Sequence, residues 1–123
     1  MTSTLGGAVL MAALSGAATA ASPLVRIAQL EIDPARIAAY EAAVKEEIEA
    51  SIRLEPGVLS IYAVAEKDNP VQFHFFEVYA DEAAYRRHIE SSHFKKYAEI
   101  TKTMIRSKKL LDTHPVMLGA KPR

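Results

Sequence analysis

The alternation of short apolar runs with long amphipathic stretches constrains this fold more than any other feature of the sequence. Residues 24–32 (LVRIAQLEI), 58–65 (VLSIYAVA) and 71–79 (VQFHFFEVY) are each predicted to form a β-strand, because side chains alternate between the two faces of a strand. The first and third runs are apolar on both faces, which is typical of strands in the middle of a covered sheet. Turn residues at 67–70 predict that the second and third runs form a hairpin.

A long helix is predicted between the first two strands. It begins after Asp33 and Pro34, which suit an N-cap and a first helical position. It ends at residues 55–57 (Glu-Pro-Gly), because proline cannot continue a helix and glycine turns freely. The apolar residues that recur at helical spacing are Ile37, Tyr40, Val44, Ile48 and Ile52.

A second helical region is predicted to begin at Asp81 and to break at residues 91–92, where a new N-cap forms. Its apolar stripe continues to about Lys108. Residues 110–118 are predicted to form a fourth strand, which is an edge or bulged strand because Pro115 lacks a backbone donor.

The resulting order, β-α-β-β-α-β, predicts an α+β fold of the ferredoxin-like, split-βαβ type. It consists of a four-stranded antiparallel sheet with helices on one face and with the first and third strands at the centre. The opposite face of the sheet would expose apolar side chains, and large exposed apolar patches mark interfaces. We therefore expect a face-to-face homodimer.

Composition excludes several classes of partner and chemistry. The chain has 123 residues, which suits one domain with one core. Its formal net charge is zero and it has no basic stripe interleaved with aromatic residues, so no nucleic-acid partner is expected. Because cysteine is absent, disulfides, thiolate catalysis and thiolate metal sites are excluded.

Residues 1–20 are predicted to be a signal peptide, followed by a single domain at residues 21–123. This segment has no charged side chain and ends in Ala-Thr-Ala, the A-x-A pattern of a cleavage site. It is too short and too glycine-rich for a stable membrane span. No lysine or arginine precedes the apolar stretch, which leaves a loosely structured tail as the alternative. We expect export, to the periplasm.

The run FHFFEVY raises the question of whether His74 and Glu77 form a reactive pair. The two residues are three positions apart on a predicted strand, so their side chains point to opposite faces unless a bulge intervenes. Phe73, Phe75 and Tyr79 share the face of Glu77. His74 is expected to be a satisfied histidine of the core or of an interface.

The segment from residue 55 to residue 97 resembles the antibiotic biosynthesis monooxygenase superfamily, and most closely its small quinol-monooxygenase-like branch. The matching residues are Glu55-Pro56-Gly57, Phe73, Glu77, Tyr79, Asp81-Glu82-Ala83, His88 and His93-Phe94. The resemblance implies a dimeric α+β barrel with a pocket in each subunit between sheet and helices. It also implies activities that range from cofactor-free oxidation of quinols and polyphenols, through haem degradation, to processing of signalling molecules without oxygen chemistry.

Two branches of the superfamily fit this sequence poorly. The haem-degrading branch and the polyketide-oxidising branch both depend on asparagine and tryptophan. Here the first strand carries Gln29, the sole asparagine is Asn69 in a turn, and tryptophan is absent.

The candidate catalytic residues are Glu77, His93 and His88. A carboxylate in an apolar pocket has a raised pKa and can act as a general base, although Glu77 can equally be a buried group that accepts hydrogen bonds. A neutral imidazole at position 93 could accept a phenolic proton, and the alternative is a capping or packing role. The candidate substrate-binding residues are Phe73, Phe75, Tyr79, Tyr62 and Tyr97, and the hydroxyls of Tyr62 and Tyr97 are expected at the pocket rim.

No metal site is expected, because His88 and His93 lie five residues apart and no carboxylate near them in the sequence completes a ligand set. We therefore expect a monooxygenase without a cofactor, which oxidises a small hydroquinone- or polyphenol-like molecule with O2. The alternatives are a non-oxidative isomerase-type enzyme that uses the same pocket and a non-catalytic stress-response module that binds a small molecule.

Overall fold

A computed structural model describes residues 22–123 of the protein, so the predicted signal peptide lies outside the described residues. None of the helices in this range is long and apolar enough to span a membrane. The elements are β1 (Leu24–Ile32), α1 (Ile37–Leu54), β2 (Val58–Ala65), β3 (Gln72–Tyr79), α2 (Glu82–Glu90), α3 (Ser92–Thr101) and β4 (Ile105–Asp112), with a 3-10 turn at Pro34–Arg36 before α1.

The four strands form one antiparallel sheet in the order β2-β3-β1-β4. This topology confirms the predicted ferredoxin-like α+β fold, with β1 and β3 at the centre. Within the central pair, Leu30 lies opposite Phe73 and Arg26 lies opposite Glu77. Because residues paired across a sheet share a face, both pairs lie on the face that the helices cover.

Polar residues and one glycine fix the ends of the helices. The Asp33 carboxylate accepts from the Ala35 backbone N–H at 3.0 Å, and the Asp81 carboxylate accepts from that of Ala84 at 2.8 Å. Where α1 gives way to β2, a Cβ on Gly57 would lie 2.5 Å from the Ala84 Cβ. A side chain at position 57 would therefore push α2 away from the start of β2.

The predicted boundaries of the last helix and the last strand are wrong. Helix α3 ends at Thr101 instead of near Lys108, and β4 begins at Ile105 and ends before Pro115. Buried Met104 continues the helical stripe in the sequence, but its backbone N–H closes a turn on the Thr101 carbonyl at 2.8 Å. The strand after this turn pairs with β1, and the exposed lysines on this edge strand discourage further pairing.

The hydrophobic core fills the layer between the sheet and the helices. Tyr40 of α1 is fully buried and its ring meets Phe73 edge-on, with 5.1 Å between ring centroids. The buried face of α1 comprises Tyr40, Val44, Glu47 and Ser51. The predicted apolar stripe is therefore wrong at Ile52, which is 49% exposed.

On the opposite face of the sheet Val25 and Val78 are buried, but another part of this face is exposed. Tyr62 and Val64 of β2 lie beside Phe76 of β3 there, and their exposed fractions are 55%, 60% and 38%. This finding confirms the expectation that apolar side chains are exposed on that face, which we call the bare face of the sheet.

We predict that Gly57→Ala destabilises the protein by about 1–3 kcal/mol, because the added methyl group overlaps Ala84 in a packed region. Urea unfolding measures the change in the free energy of unfolding. Gly119→Ala is the matched control, since nothing lies within 4 Å of that position, and it should change stability by less than about 0.5 kcal/mol. Equal effects of the two substitutions would contradict the packing described for Gly57.

Candidate functional site

A cavity of about 350 Å³ lies between the sheet and the three helices, a size that suits a small organic ligand. Its apolar and aromatic wall is formed by Ala28, Leu30, Ile61, Phe75, Tyr85, Ile89, Phe94, Tyr97, Ala98, Ile105 and Leu110. Its polar groups are Arg26, Glu47, Glu77, His88, Thr101, Lys102 and Lys108. A largely apolar wall with a few convergent polar groups is typical of a ligand site.

Glu77 brings a carboxylate into this cavity from the central strand β3. Burial raises the pKa of Glu77, because the charged form loses hydration. The hydrogen bond from Tyr79 and the positive charges of His88 and Arg26 oppose this shift, and the net direction is upward. A carboxylate with a raised pKa is a competent general base near neutral pH.

The Tyr79 hydroxyl donates a hydrogen bond to Glu77 Oε1, two positions away on the same face of the strand. Tyr79 is fully buried, and its pKa is raised by burial and by the adjacent Glu77 charge. It therefore remains a proton donor to the carboxylate at all ordinary pH values. Tyr79 does not line the cavity, so its contact orients Glu77 from behind.

His88 lies between two carboxylates, that of Glu47 within α1 and that of Glu55 at the C-terminal cap of α1. Its Nε2 lies 3.2 Å from Glu47 Oε1, and its Nδ1 lies 2.9 Å from Glu55 Oε2. Burial by itself would lower the pKa of His88, but the hydrogen bonds and charges of the two carboxylates outweigh burial and raise it. Both ring nitrogens face carboxylate acceptors, which favours the imidazolium form of His88 over the free base.

His93 shares a partner with His88. Its Nε2 lies 2.5 Å from the same Glu55 Oε2 that faces His88. Glu55 caps the end of α1, where its backbone N–H donates to the Ser51 carbonyl at 3.0 Å. We call Glu55, His88 and His93 the Glu55 cluster.

The prediction that no carboxylate lies near His88 and His93 is wrong, because Glu55 contacts both histidines in the folded protein. Glu55 lies 33 residues before His88 and 38 residues before His93, so only the folded chain brings it to them. Glu47 was missed for a different reason. It falls on the buried face of α1 at helical spacing from Val44 and Ser51, and a polar residue at that position was the available signal.

The predicted substrate-binding residues lie in different parts of the structure. Phe75 and Tyr97 line the cavity, and the Tyr97 hydroxyl lies 2.6 Å from that of Tyr40. Burial raises the pKa of Tyr97 to about 12. Phe73 packs beneath Tyr40 and borders a smaller, separate cavity near α1. The expectation that Tyr62 holds its hydroxyl at the rim is wrong, because Tyr62 lies on the bare face of the sheet.

His74 and Glu77 have separate partners, as the alternation of strand side chains predicts. His74 Nε2 lies 2.7 Å from Glu66 Oε2, and Glu77 is bonded to Tyr79. The geometry therefore gives no His74–Glu77 dyad.

Arg26 supplies a fixed cation to the cavity wall. Its guanidinium lies 4.3 Å from the centroid of the Tyr85 ring, and its Nη1 lies 3.0 Å from Asp112 Oδ1. Stacking on an aromatic face and pairing with a carboxylate both restrict the guanidinium. Lys102 and Lys108 are the other lysine or arginine residues that line the cavity.

The fold and the cavity define a small ferredoxin-like protein with a partly buried carboxylate in a cavity large enough for a small molecule. The sequence profile of the antibiotic biosynthesis monooxygenases matches residues 23–100. The chain therefore belongs to the antibiotic biosynthesis monooxygenase family, which confirms the resemblance at the level of the family. Among curated proteins, none matches this sequence.

Solved structures of similar proteins agree with this assignment. A Bacteroides thetaiotaomicron protein, provisionally designated an antibiotic biosynthesis monooxygenase, is 50% identical with a TM-score of 0.79 over 83% of this chain and 97% of its own. A provisionally designated monooxygenase from Lactobacillus acidophilus is 32% identical with a TM-score of 0.71, over 72% of this chain and 42% of its own. A Nitrosomonas europaea protein, 20% identical with a TM-score of 0.73 over 80% of this chain and 95% of its own, shows the shared fold alone.

We predict that Glu77 makes the protein less stable as the pH rises. The unfolded glutamate ionises near its ordinary pKa of about 4.3, whereas the folded protein resists ionisation because the pKa of Glu77 is raised. The unfolded state therefore binds fewer protons through this window, and the free energy of unfolding falls as pH increases.

Glu77→Gln removes this contribution, so the stability of the variant relative to wild type should increase as the pH rises above the ordinary glutamate pKa of about 4.3. Denaturant unfolding at each pH measures the difference. Glu49→Gln, on the exposed face of α1, is the matched control and should show no such trend. A pH-independent difference for Glu77→Gln would show that the Glu77 pKa is not raised.

Proposed function

We propose that this protein is a monooxygenase that oxidises a small hydroquinone- or polyphenol-like molecule with O2 and requires no cofactor for the reaction. The observation that carries the proposal is the Glu77 carboxylate, whose pKa is raised, in a cavity with aromatic walls. Membership of the antibiotic biosynthesis monooxygenase family supports the general class of reaction. The nature of the substrate is inferred from the site.

The first step requires a base beside an acidic hydroxyl group. Ionised Glu77 accepts the phenolic proton of the substrate, and Tyr79 holds the carboxylate in place from the opposite side. The resulting phenolate is electron-rich enough to transfer an electron to O2 directly. The aromatic rings of Phe75, Phe94 and Tyr97 provide faces against which a flat substrate can pack.

Positive charge in the cavity wall favours the anionic species of this reaction. His88 is an imidazolium held by Glu47 and Glu55, and Arg26 is fixed by stacking on Tyr85. Preorganised charges of this kind stabilise developing negative charge without reorganisation. They support both the phenolate and the peroxide that forms when oxygen adds to the ring.

The electrons balance without an external reductant. Oxygen adds to a ring carbon, and the O–O bond then breaks as that carbon loses its hydrogen as a proton. One oxygen atom stays on the product and the other leaves as water, which takes up the two protons released. The substrate supplies both electron pairs needed to reduce O2, so a hydroquinone becomes a hydroxyquinone.

We predict that Glu77→Gln lowers the rate of oxygen uptake with a menadiol-type quinol by at least about 100-fold, the usual contribution of a positioned general base. An oxygen electrode measures uptake above the autoxidation rate. Glu49→Gln makes the same chemical change on an exposed helix face and should retain the wild-type rate.

A full rate in Glu77→Gln, or no wild-type uptake above autoxidation, would contradict the proposed reaction. Substrate turnover without oxygen uptake would favour the isomerase-type alternative. Saturable quinol binding that survives Glu77→Gln and gives no product would favour the binding module.

We also propose that two copies of the chain pack through their bare sheet faces. The support is the continuous apolar patch around Tyr62, Val64 and Phe76, which water contacts in a single copy. An exposed apolar patch on the face of a sheet is typical of an interface. A second copy would present the same apolar surface, as a two-fold symmetric interface requires.

We predict that the wild-type protein sediments at twice the chain mass and that Phe76→Asp sediments as a monomer, because the interface would bury an unpaired charge. Tyr62→Asp is a second variant at a more exposed position of the same face. Ile52→Asp, at a half-exposed apolar position on α1, is the matched control and should remain dimeric. A monomeric wild-type protein at micromolar concentration would contradict this arrangement.

A further inference from the structure

Only one member of the Glu55 cluster has a role in the proposed reaction, which is the positive charge that His88 places in the cavity wall. Of its three members only His88 lines the cavity, and Glu55 and His93 lie behind the wall. One oxygen of Glu55 faces a ring nitrogen of each histidine, at 2.9 Å from His88 Nδ1 and 2.5 Å from His93 Nε2. The three donor atoms all lie within 4.8 Å of one another.

We propose that the Glu55 cluster is a binding site for a divalent transition-metal ion of the Zn²⁺ type. Two imidazole nitrogens and one carboxylate oxygen are a common ligand set for this ion, and they leave a fourth position for water. Imidazole ligands select transition metals over Mg²⁺ and Ca²⁺, which prefer oxygen ligands.

The distances are compatible with an ion after a small adjustment. Ligand atoms that lie about 2 Å from a shared tetrahedral ion are about 3.3 Å from one another. The observed separations from Glu55 Oε2 are 2.9 and 2.5 Å, so each histidine has to withdraw by less than about 1 Å. The ion would replace the protons that now lie between Glu55 and the two rings, and those protons would be released.

A separate contact of His88 supports the same conclusion. Its other ring nitrogen, Nε2, faces Glu47 Oε1 at 3.2 Å, and that oxygen also accepts a hydrogen bond from the Ser51 hydroxyl at 2.9 Å. A histidine that binds a metal almost always donates its second N–H to a carboxylate or carbonyl, which fixes the orientation of the ring. Glu47 therefore keeps Nδ1 of His88 directed at Glu55.

The local structure holds the three ligands in place before any ion arrives. Glu55 is the C-cap of α1, His88 lies in the last turn of α2, and His93 lies in the first turn of α3. The Ser91 side chain caps α3 by accepting from the Phe94 N–H at 3.2 Å, which sets the angle between the two short helices. The ion would join the end of α1 to the α2–α3 junction, so its principal effect would be on stability.

The test uses the full chain, stripped with a chelator and dialysed into metal-free buffer. Isothermal titration with ZnCl2 should show one site per chain, and CoCl2 should give the visible absorption of a tetrahedral ion. With free Zn²⁺ about 100-fold above the dissociation constant, the melting temperature should rise by about 10 °C.

Variants of two proposed ligands, and one of the residue that orients His88, should distinguish binding at the Glu55 cluster from nonspecific binding at the surface. His93→Gln and Glu55→Gln should each abolish the cobalt spectrum, and Glu47→Gln should weaken Zn²⁺ binding by about 10–100-fold. The matched control is His74→Gln, which removes the histidine of another His–Glu pair, 2.7 Å from Glu66, and should bind Zn²⁺ as wild type does.

Circular dichroism confirms that each variant is folded before titration. If the wild type shows no heat of Zn²⁺ binding and no change in melting temperature, the proposal is overturned, and the cluster is then a set of hydrogen-bonded side chains that binds no ion. Equal Zn²⁺ affinity in wild type and in both ligand variants would overturn it as well. Neither readout depends on oxygen uptake, so the failure of this proposal and that of the proposed reaction are distinguishable.

Discussion

Ionisable side chains in the layer between the sheet and the helices have to find partners inside the protein, and this constraint shapes the whole site. Glu77 is the most consequential case, because it projects from a central strand into an apolar cavity. Tyr79 provides its one direct hydrogen bond in the described structure, which is not enough to restore the hydration that burial removes. The result is a carboxylate that is held in a fixed position and retains its proton more readily than usual.

The helices meet the same constraint in a different way. α1 contributes Glu47 on its buried face and Glu55 at its cap, and the two carboxylates hold His88 between them. A buried cation between two carboxylates depends on both of them, and removing one partner from such a unit is usually costly. The same pairing that stabilises the junction of α1, α2 and α3 thus places a positive charge in the cavity wall opposite the strand carboxylate.

Local patterns in the sequence were enough to predict most of the fold. Alternating apolar residues identified β1, β2 and β3, and Asp81 and Ser91 marked the starts of α2 and α3. Asp33 caps the 3-10 turn that precedes α1, so the long helix begins at Ile37, a few residues later than predicted. The strand β4 was misplaced because Met104 and Ile105 extend a helical stripe, and its position is set by pairing with β1, which is not a local property. Period-two alternation also separated His74 from Glu77, whereas the contacts of Glu55 with two histidines depend on tertiary structure and have no local signal.

The central claim is that Glu77 is a partly buried base with a raised pKa, and infrared titration of its carboxyl group tests it most directly. The C=O stretch of protonated Glu77 is isolated by subtracting the spectrum of Glu77→Gln from that of wild type at each pH. The structure predicts that this band persists above the ordinary glutamate pKa of about 4.3 and disappears at a higher midpoint. A midpoint at or below the ordinary value would show an exposed or fully stabilised carboxylate and would contradict the role given to Glu77.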